Sequence, residues 1–171
     1  MALDSMQELF LNELKDVYNA EKQLVRALPR LAKAAQSAEL QKALTKHLRE
    51  TEGHVTRLER IFRGLDQTPR GKKCKGMEGL VEEGKEILEE EGAPEVIDAA
   101  IISAAQRVEH YEIAAYGCLR TYAQLLGNSE AERLLQQTLA EEEAADETLT
   151  ALGEGGINQA AVAAGGREDQ E

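Results

Sequence analysis

The feature that most constrains this chain is one pattern repeated four times: side chains at alternating steps of four and three along segments long enough for extended helices. Phe10, Leu14, Val17, Glu21, Leu24, Leu28 and Leu31 make the first stripe, and Leu40, Leu44, Leu58 and Ile61 frame the second. Ile101, Ala105, Val108, Glu112, Ala115, Leu119, Tyr122 and Leu126 make the third, and Ala131, Leu135, Thr138, Glu142, Ala145, Leu149 and Leu152 the fourth. Such spacing returns to one side of a helix every two turns, so each segment carries a single stripe that must be buried against the others. Composition agrees. Ala, Glu and Leu dominate, aromatics are 4%, tryptophan is absent and there are only three prolines, which favours helix over a sandwich or barrel.

Local signals divide the chain. Asp4 or Ser5 can cap the first helix, and Ser5 with Glu8 has capping-box spacing. Pro29 is expected to kink that helix or end its regular part near residue 28. Ser37 opens a second helix over about 38–63, and the Gly-, Pro- and Lys-bearing stretch 63–76 reads as a loop. A short acidic helix follows over 77–92, with Met77, Leu80, Val81, Ile87 and Leu88 as its apolar side. Pro94 starts a third long helix as an N1 proline, Gly127 stops it, and Ser129 with Glu132 caps the fourth. The expected fold is all-α: a ferritin-like four-helix bundle over residues 1–152, with one long crossover containing a short fifth helix. Residues 153–171, rich in glycine and small residues, are expected to be a flexible tail.

Each stripe has the same fault. Glu21, Glu112 and Glu142 stand mid-length where leucine would pack, and the second stripe passes through His47, Glu50 and His54. A buried carboxylate is costly unless it is paired or bound to a cation, and Lys and Arg are scarce at these positions. Four acids converging at mid-bundle would repel one another with nothing between them, and a hard cation resolves this. Glu109 lies one turn from Glu112, Asp146 one turn from Glu142, and His54 one turn from Glu50. The candidate ligands are therefore Glu21, Glu50, His54, Glu109, Glu112, Glu142 and Asp146, enough for two metal ions. The usual pattern in such bundles places Glu-x-x-His on two helices, whereas this chain has Glu-x-x-x-His, Glu-x-x-Glu and Glu-x-x-x-Asp. An oxygen-rich set suits iron or manganese better than zinc or copper.

The neighbours are assigned plainer roles. His110 faces outward, and His47 is read as a partner to a ligand, though its spacing also fits a ligand or a bundle-end hydrogen bonder. A register shifted by one residue would put Glu141 in the place of a fourth-helix ligand. Tyr18 and Tyr111 are candidate hydrogen-bond donors to ligands, and equally space-fillers. Cys74 and Cys118 have no CxxC spacing and are read as free thiols in a reducing compartment.

With a net charge of −12 the surface repels phosphate backbones, so nucleic acid is not an expected partner. No apolar run approaches a membrane span and no export signal is visible, so a cytoplasmic location is expected. The stretches LKDVYNAEKQLVRALPRL, HLRETEGH, AAQRVEHYEIAAYG and TLAEEEAAD resemble the YciE/YciF group of bacterial ferritin-like proteins, over about residues 5–152. The resemblance implies a rubrerythrin-like bundle, usually a homodimer, with a di-iron centre and a link to stress responses. The function expected is reaction of a di-metal centre with peroxide or oxygen. With no four-cysteine iron site of its own, the chain would need an external electron donor. The alternative is non-catalytic: iron binding or storage, or a structural stress protein.

Overall fold

A computed structural model describes residues 3–165. Its helices are α1 (Met6–Ala34), α2 (Ala38–Gly64), α3 (Lys75–Glu89), α4 (Pro94–Leu125), α5 (Ser129–Leu152) and α6 (Asn158–Gly165), and there is no strand among the described residues. The four long helices form the bundle. Helix α1 packs on α2 and α4 on α5 through short turns, while α2 meets α5 and α1 meets α4 to close the square. The crossover from α2 to α4 carries α3, which lies against α1 and α4.

The helix ends follow the local chemistry. Ser5 and Glu8 form the expected reciprocal box: Ser5 Oγ accepts from the Glu8 amide, and a Glu8 carboxylate oxygen accepts from the Asp4 amide at 2.8 Å. Ser37 caps α2 by accepting from the Leu40 amide, and Pro94 occupies the first turn of α4. Gly127 ends α4 with φ of 69°, a left-handed conformation that costs glycine little.

Three expectations are corrected. Helix α1 runs unbroken through Pro29 to Ala34. Pro29 faces solvent, so water can reach the carbonyl that loses its partner, while buried Leu24, Leu28 and Ala35 hold the helix on both sides of it. The cap of α5 is Asn128, whose side chain accepts from the Ala131 amide, and Ser129 is already helical. Residues 153–165 are a π-helical turn (Gly153–Ile157) and then α6, with a kink at Gly156 where φ is 156°. Helix α6 rests on α4, so this part of the expected tail has a fixed place. The rest of it, 166–171, lies outside the described residues.

The core is in two pieces. Phe10, Leu14, Val17, Leu58, Phe62, Tyr116 and Leu119 belong to one apolar cluster, and Leu24, Leu28, Leu40, Leu44, Met77, Ile101 and Ile102 to the other. Between them the stripes carry Glu21, His47, Thr51, His54, Glu109, Glu112, Thr138 and Glu142, all buried. The polar layer is thus a property of the bundle's register, one element contributed by each long helix.

Candidate metal centre

The polar layer resolves into two groups of side chains that share one member. Glu21, His54 and Glu142 form one, and His47, Glu109, Glu112 and Glu142 the other, and within each group a ligand atom from every residue lies within 4.8 Å of all the others. All six residues are at most 4% exposed. Glu142 reaches both groups because α5 places it centrally, and its position on the expected stripe is kept.

In the first group the protein itself braces the side chains. His54 Nδ1 stands 2.9 Å from Glu142 Oε1 and 3.3 Å from Glu21 Oε1. On the other side of the ring, Nε2 meets Glu141 Oε2 at 2.9 Å. Glu141 is in turn clamped by the Arg57 guanidinium through two 2.7 Å hydrogen bonds. This carboxylate–histidine arrangement orients the ring with Nδ1 inward. Burial alone would lower the His54 pKa, but Glu141, Glu142 and Glu21 raise it to about 12. Burial raises Glu141, and His54 and Arg57 more than reverse this, bringing it to about 2. Tyr116 Oη donates a short hydrogen bond to Glu21.

The second group has almost no such support. His47 Nε2 stands 3.2 Å from Glu109 and 3.8 Å from Glu142, yet neither ring nitrogen makes a hydrogen bond, and both Glu112 oxygens are orphaned. Burial, and then the neighbouring carboxylates, push Glu109 and Glu112 well above the usual carboxylate range. Burial also lowers His47. Burial raises Glu142 too, but His54 outweighs it and keeps Glu142 below that range. Without a cation, burial therefore favours the protonated form of Glu109 and Glu112 and the uncharged form of His47, beside a Glu142 that favours the ionised one.

Among the described residues, ten buried side-chain nitrogen and oxygen atoms lack a hydrogen-bond partner, and all of them belong to Glu21, His47, Glu50, His54, Glu109, Glu112 and Glu142. Buried polar atoms are nearly always paired, so orphans confined to one layer and its border, with acceptor lone pairs converging, fit a bound cation. The donor set is carboxylate and imidazole, and neither group contains a cysteine.

The expected ligands fare unequally. Glu21, His54, Glu109, Glu112 and Glu142 are brought together. Asp146 is outside both groups: it accepts from Gln106 at 3.2 Å and lies 3.4 Å from exposed His110. Glu50 sits beside the layer, because the buried stripe of α2 runs through Leu44, His47, Thr51, His54 and Leu58. That four-three rhythm was legible in the sequence, and the charge of Glu50 diverted attention from Thr51. By the same rhythm His47 lies on the buried stripe, and it stands in one of the two groups that could hold an ion. Tyr18 donates to Glu59 and Tyr111 to Asp16, so neither touches a candidate ligand. Tyr116 does, and it was missed because the α4 stripe turns at Glu112 to Tyr116, Leu119 and Ala123 instead of through Ala115 and Tyr122. Its spacing of four from Glu112 was the available signal.

Among the described residues, no helix is long and apolar enough to cross a membrane. The chain is 44% identical over 162 residues to protein YciF of Escherichia coli strain K12, covering 94% of this chain and 98% of that protein. The crystal structure of that stress protein superposes with a TM-score of 0.87, covering 91% of this chain and 99% of that one. YcfI from Rhodopseudomonas palustris, described as a candidate structural protein, is 41% identical with a TM-score of 0.84, over 88% of this chain and 97% of its own. A Xanthomonas campestris protein at 20% identity and a TM-score of 0.73 shares the fold, over 96% of this chain and 99% of that one. The resemblance to the YciE/YciF group therefore holds across nearly the whole chain, and the protein belongs to the family described as a domain of unknown function, DUF892, whose profile matches residues 5–162.

Proposed function

We propose that this protein holds two metal ions, iron with manganese as the alternative, in its buried polar layer and reacts there with peroxide or oxygen. The observation that carries the reading is that, among the described residues, nine of the ten orphaned buried polar atoms lie in the layer and the tenth, Glu50 Oε2, borders it. The two groups sharing Glu142 are suited to two adjacent cations with one carboxylate between them. Two ferrous ions so held would supply the two electrons that reduce an O–O bond.

The chain's own residues supply the rest. The apolar clusters on either side keep bulk water from the layer. Glu141 and Arg57 fix the His54 ring. Tyr116 holds Glu21 by its hydroxyl and keeps a proton at the edge of the site. Glu109 and Glu112, neutral when no cation is present, give up protons on metal binding, which couples uptake to pH. Electrons for turnover have to come from outside, since Cys74 is buried and Cys118 exposed on a different helix. The stress role printed for the Escherichia coli relative suits peroxide chemistry, and the family resemblance carries the expectation of a homodimer.

The test is anaerobic loading of the metal-free protein with ferrous ion, followed by one equivalent of hydrogen peroxide per pair of ions. Oxidation of both ions per peroxide, faster than ferrous ion oxidises free in the same buffer, is expected. Ion binding without accelerated oxidation would leave the structural description of the Rhodopseudomonas palustris relative as the better guide.

A further inference from the structure

The buried polar layer is bordered by a small cavity on the α2–α5 seam. A cavity of about 30 Å³ lies there, lined by Lys46, His47, Glu50, Glu109, Ala145 and Thr148 among others. Two of its walls are groups with unpartnered atoms deep in the layer: His47, 4% exposed with both ring nitrogens unpaired, and Glu109, 1% exposed with Oε2 unpaired. Further along the same seam the way in is shut, because Arg57 grips Glu141 with both nitrogens and His54 lies behind it.

Glu50 stands at the mouth of this cavity in a divided state. Oε1 is paired with the ammonium of Lys46, whose side chain is 66% exposed. Oε2 is buried without a hydrogen bond and points inward, 4.0 Å from His47 Nδ1. One carboxylate thus touches solvent-side charge and the inner site at once. We propose that Glu50 and Lys46 form the gate through which divalent cations reach the centre. Glu50 receives the cation at the surface in exchange for the Lys46 ammonium and passes it to His47 and Glu109. This rests on the metal-centre reading and adds to it a route and the residues that control it.

In the exchange the Lys46 ammonium returns to solvent as a hydrated divalent cation arrives and sheds water, so Glu50 keeps a cationic partner throughout while the site gains one net positive charge. It also accounts for why Glu50 lies off the buried stripe: a gate must reach water, whereas a resident ligand need not. A single ammonium–carboxylate contact is released more readily than the two-pronged Arg57–Glu141 clamp. The pair nearer the cavity is therefore the one able to open.

The probe is cobaltous ion, which reports binding by its visible absorption without redox chemistry, mixed rapidly with the metal-free full-length protein. Glu50→Gln should slow uptake by roughly tenfold or more while the number of ions bound at saturation stays at the wild-type value. Lys46→Met should speed uptake, and Lys42→Met, one turn away on the exposed face of α2, should match wild type, which separates a gate from a general field effect. Because the two gate variants move the rate in opposite directions, loss of fold cannot mimic the result. Wild-type uptake rates in both would overturn the gate. So would loss of a bound ion in Glu50→Gln, which would make Glu50 a resident ligand. If the wild-type protein takes up no cobalt at all, the metal-centre reading itself fails.

Discussion

The two halves of the polar layer share Glu142 but are built in different ways. Around His54 the protein supplies most of the bracing: Glu141 hydrogen-bonded behind the ring, Arg57 behind Glu141 and Tyr116 beneath Glu21, with Glu142 and Glu21 in front and unbonded atoms left at His54 Nδ1, Glu21 Oε2 and Glu142. Around His47 it supplies acids and little else, leaving both ring nitrogens and both Glu112 oxygens without hydrogen bonds. One half is oriented before any ion arrives, and the other is held neutral by protons that an ion must displace. Equal burial therefore does not mean equal satisfaction, and the two proposed cation positions are not equivalent.

The largest effect expected from breaking this asymmetry is on affinity. Glu141→Ala removes the brace behind His54 and leaves Arg57 only its 3.1 Å contact to Thr138. Loss of such an outer partner typically weakens metal binding about 10–100-fold. Calorimetric titration should show that loss for one of the two ions, with the other changed far less. Equal weakening of both would mean the halves are not separately braced.

A smaller effect of opposite sign is expected in the metal-free protein when one acid is removed from each half. Glu112→Leu replaces a buried carboxyl, both of its oxygens orphaned, by apolar volume and should stabilise by about 1–3 kcal/mol. Glu21→Leu strands the Tyr116 hydroxyl, a fully buried donor, and should destabilise by about 1–3 kcal/mol. Denaturant unfolding of the two variants checks this, and a shared sign would erase the distinction.

The gentlest probe is pH. Glu109 and Glu112 titrate above the usual carboxylate range when folded, and His54 does so far above its ordinary value. Their contributions are full below the unfolded pKa and are lost as pH rises through the folded one. Metal-free stability should therefore fall as pH climbs from the carboxylate range through neutrality. The carboxylates with depressed pKa, Glu141 and Glu142, act oppositely and only in acid. Bound metal needs the protons gone, so the rise in Tm on adding metal should grow with pH. A metal-induced rise that shrinks over the same interval would contradict the assignment of neutral acids to the His47 half.

What the sequence disclosed and withheld has a physical pattern. The four stripes and their caps were legible because helix periodicity and capping are local, and the acids Glu21, Glu109, Glu112 and Glu142 were legible because carboxylates on a buried stripe are anomalous. The slips came where charge was followed ahead of spacing. Glu50 was taken for a stripe residue when Thr51 holds that place, and Asp146 for a ligand when it turns to Gln106 and His110. Pro29 does not end α1, because the packing of Leu24, Leu28 and Ala35 on either side of it outweighs local propensity. The brace from Arg57 through Glu141 joins residues 84 apart in sequence, and nothing local in either helix announces such a pairing.

The central claim, that Glu142 is tolerated in the core because it serves two cations, is tested most directly by Glu142→Leu. Bound metal per chain and the metal-free unfolding midpoint are measured for variant and wild type. His54 would keep Glu141 and Glu21 as partners, and Glu109 and Glu112 would lose a repelling neighbour. The account predicts loss of metal from both positions with a metal-free midpoint no lower than wild type, higher by as much as about 1–3 kcal/mol of added stability. Undiminished metal content with a lowered metal-free midpoint would show that Glu142 is half of a structural ion pair, and would contradict the centre as described.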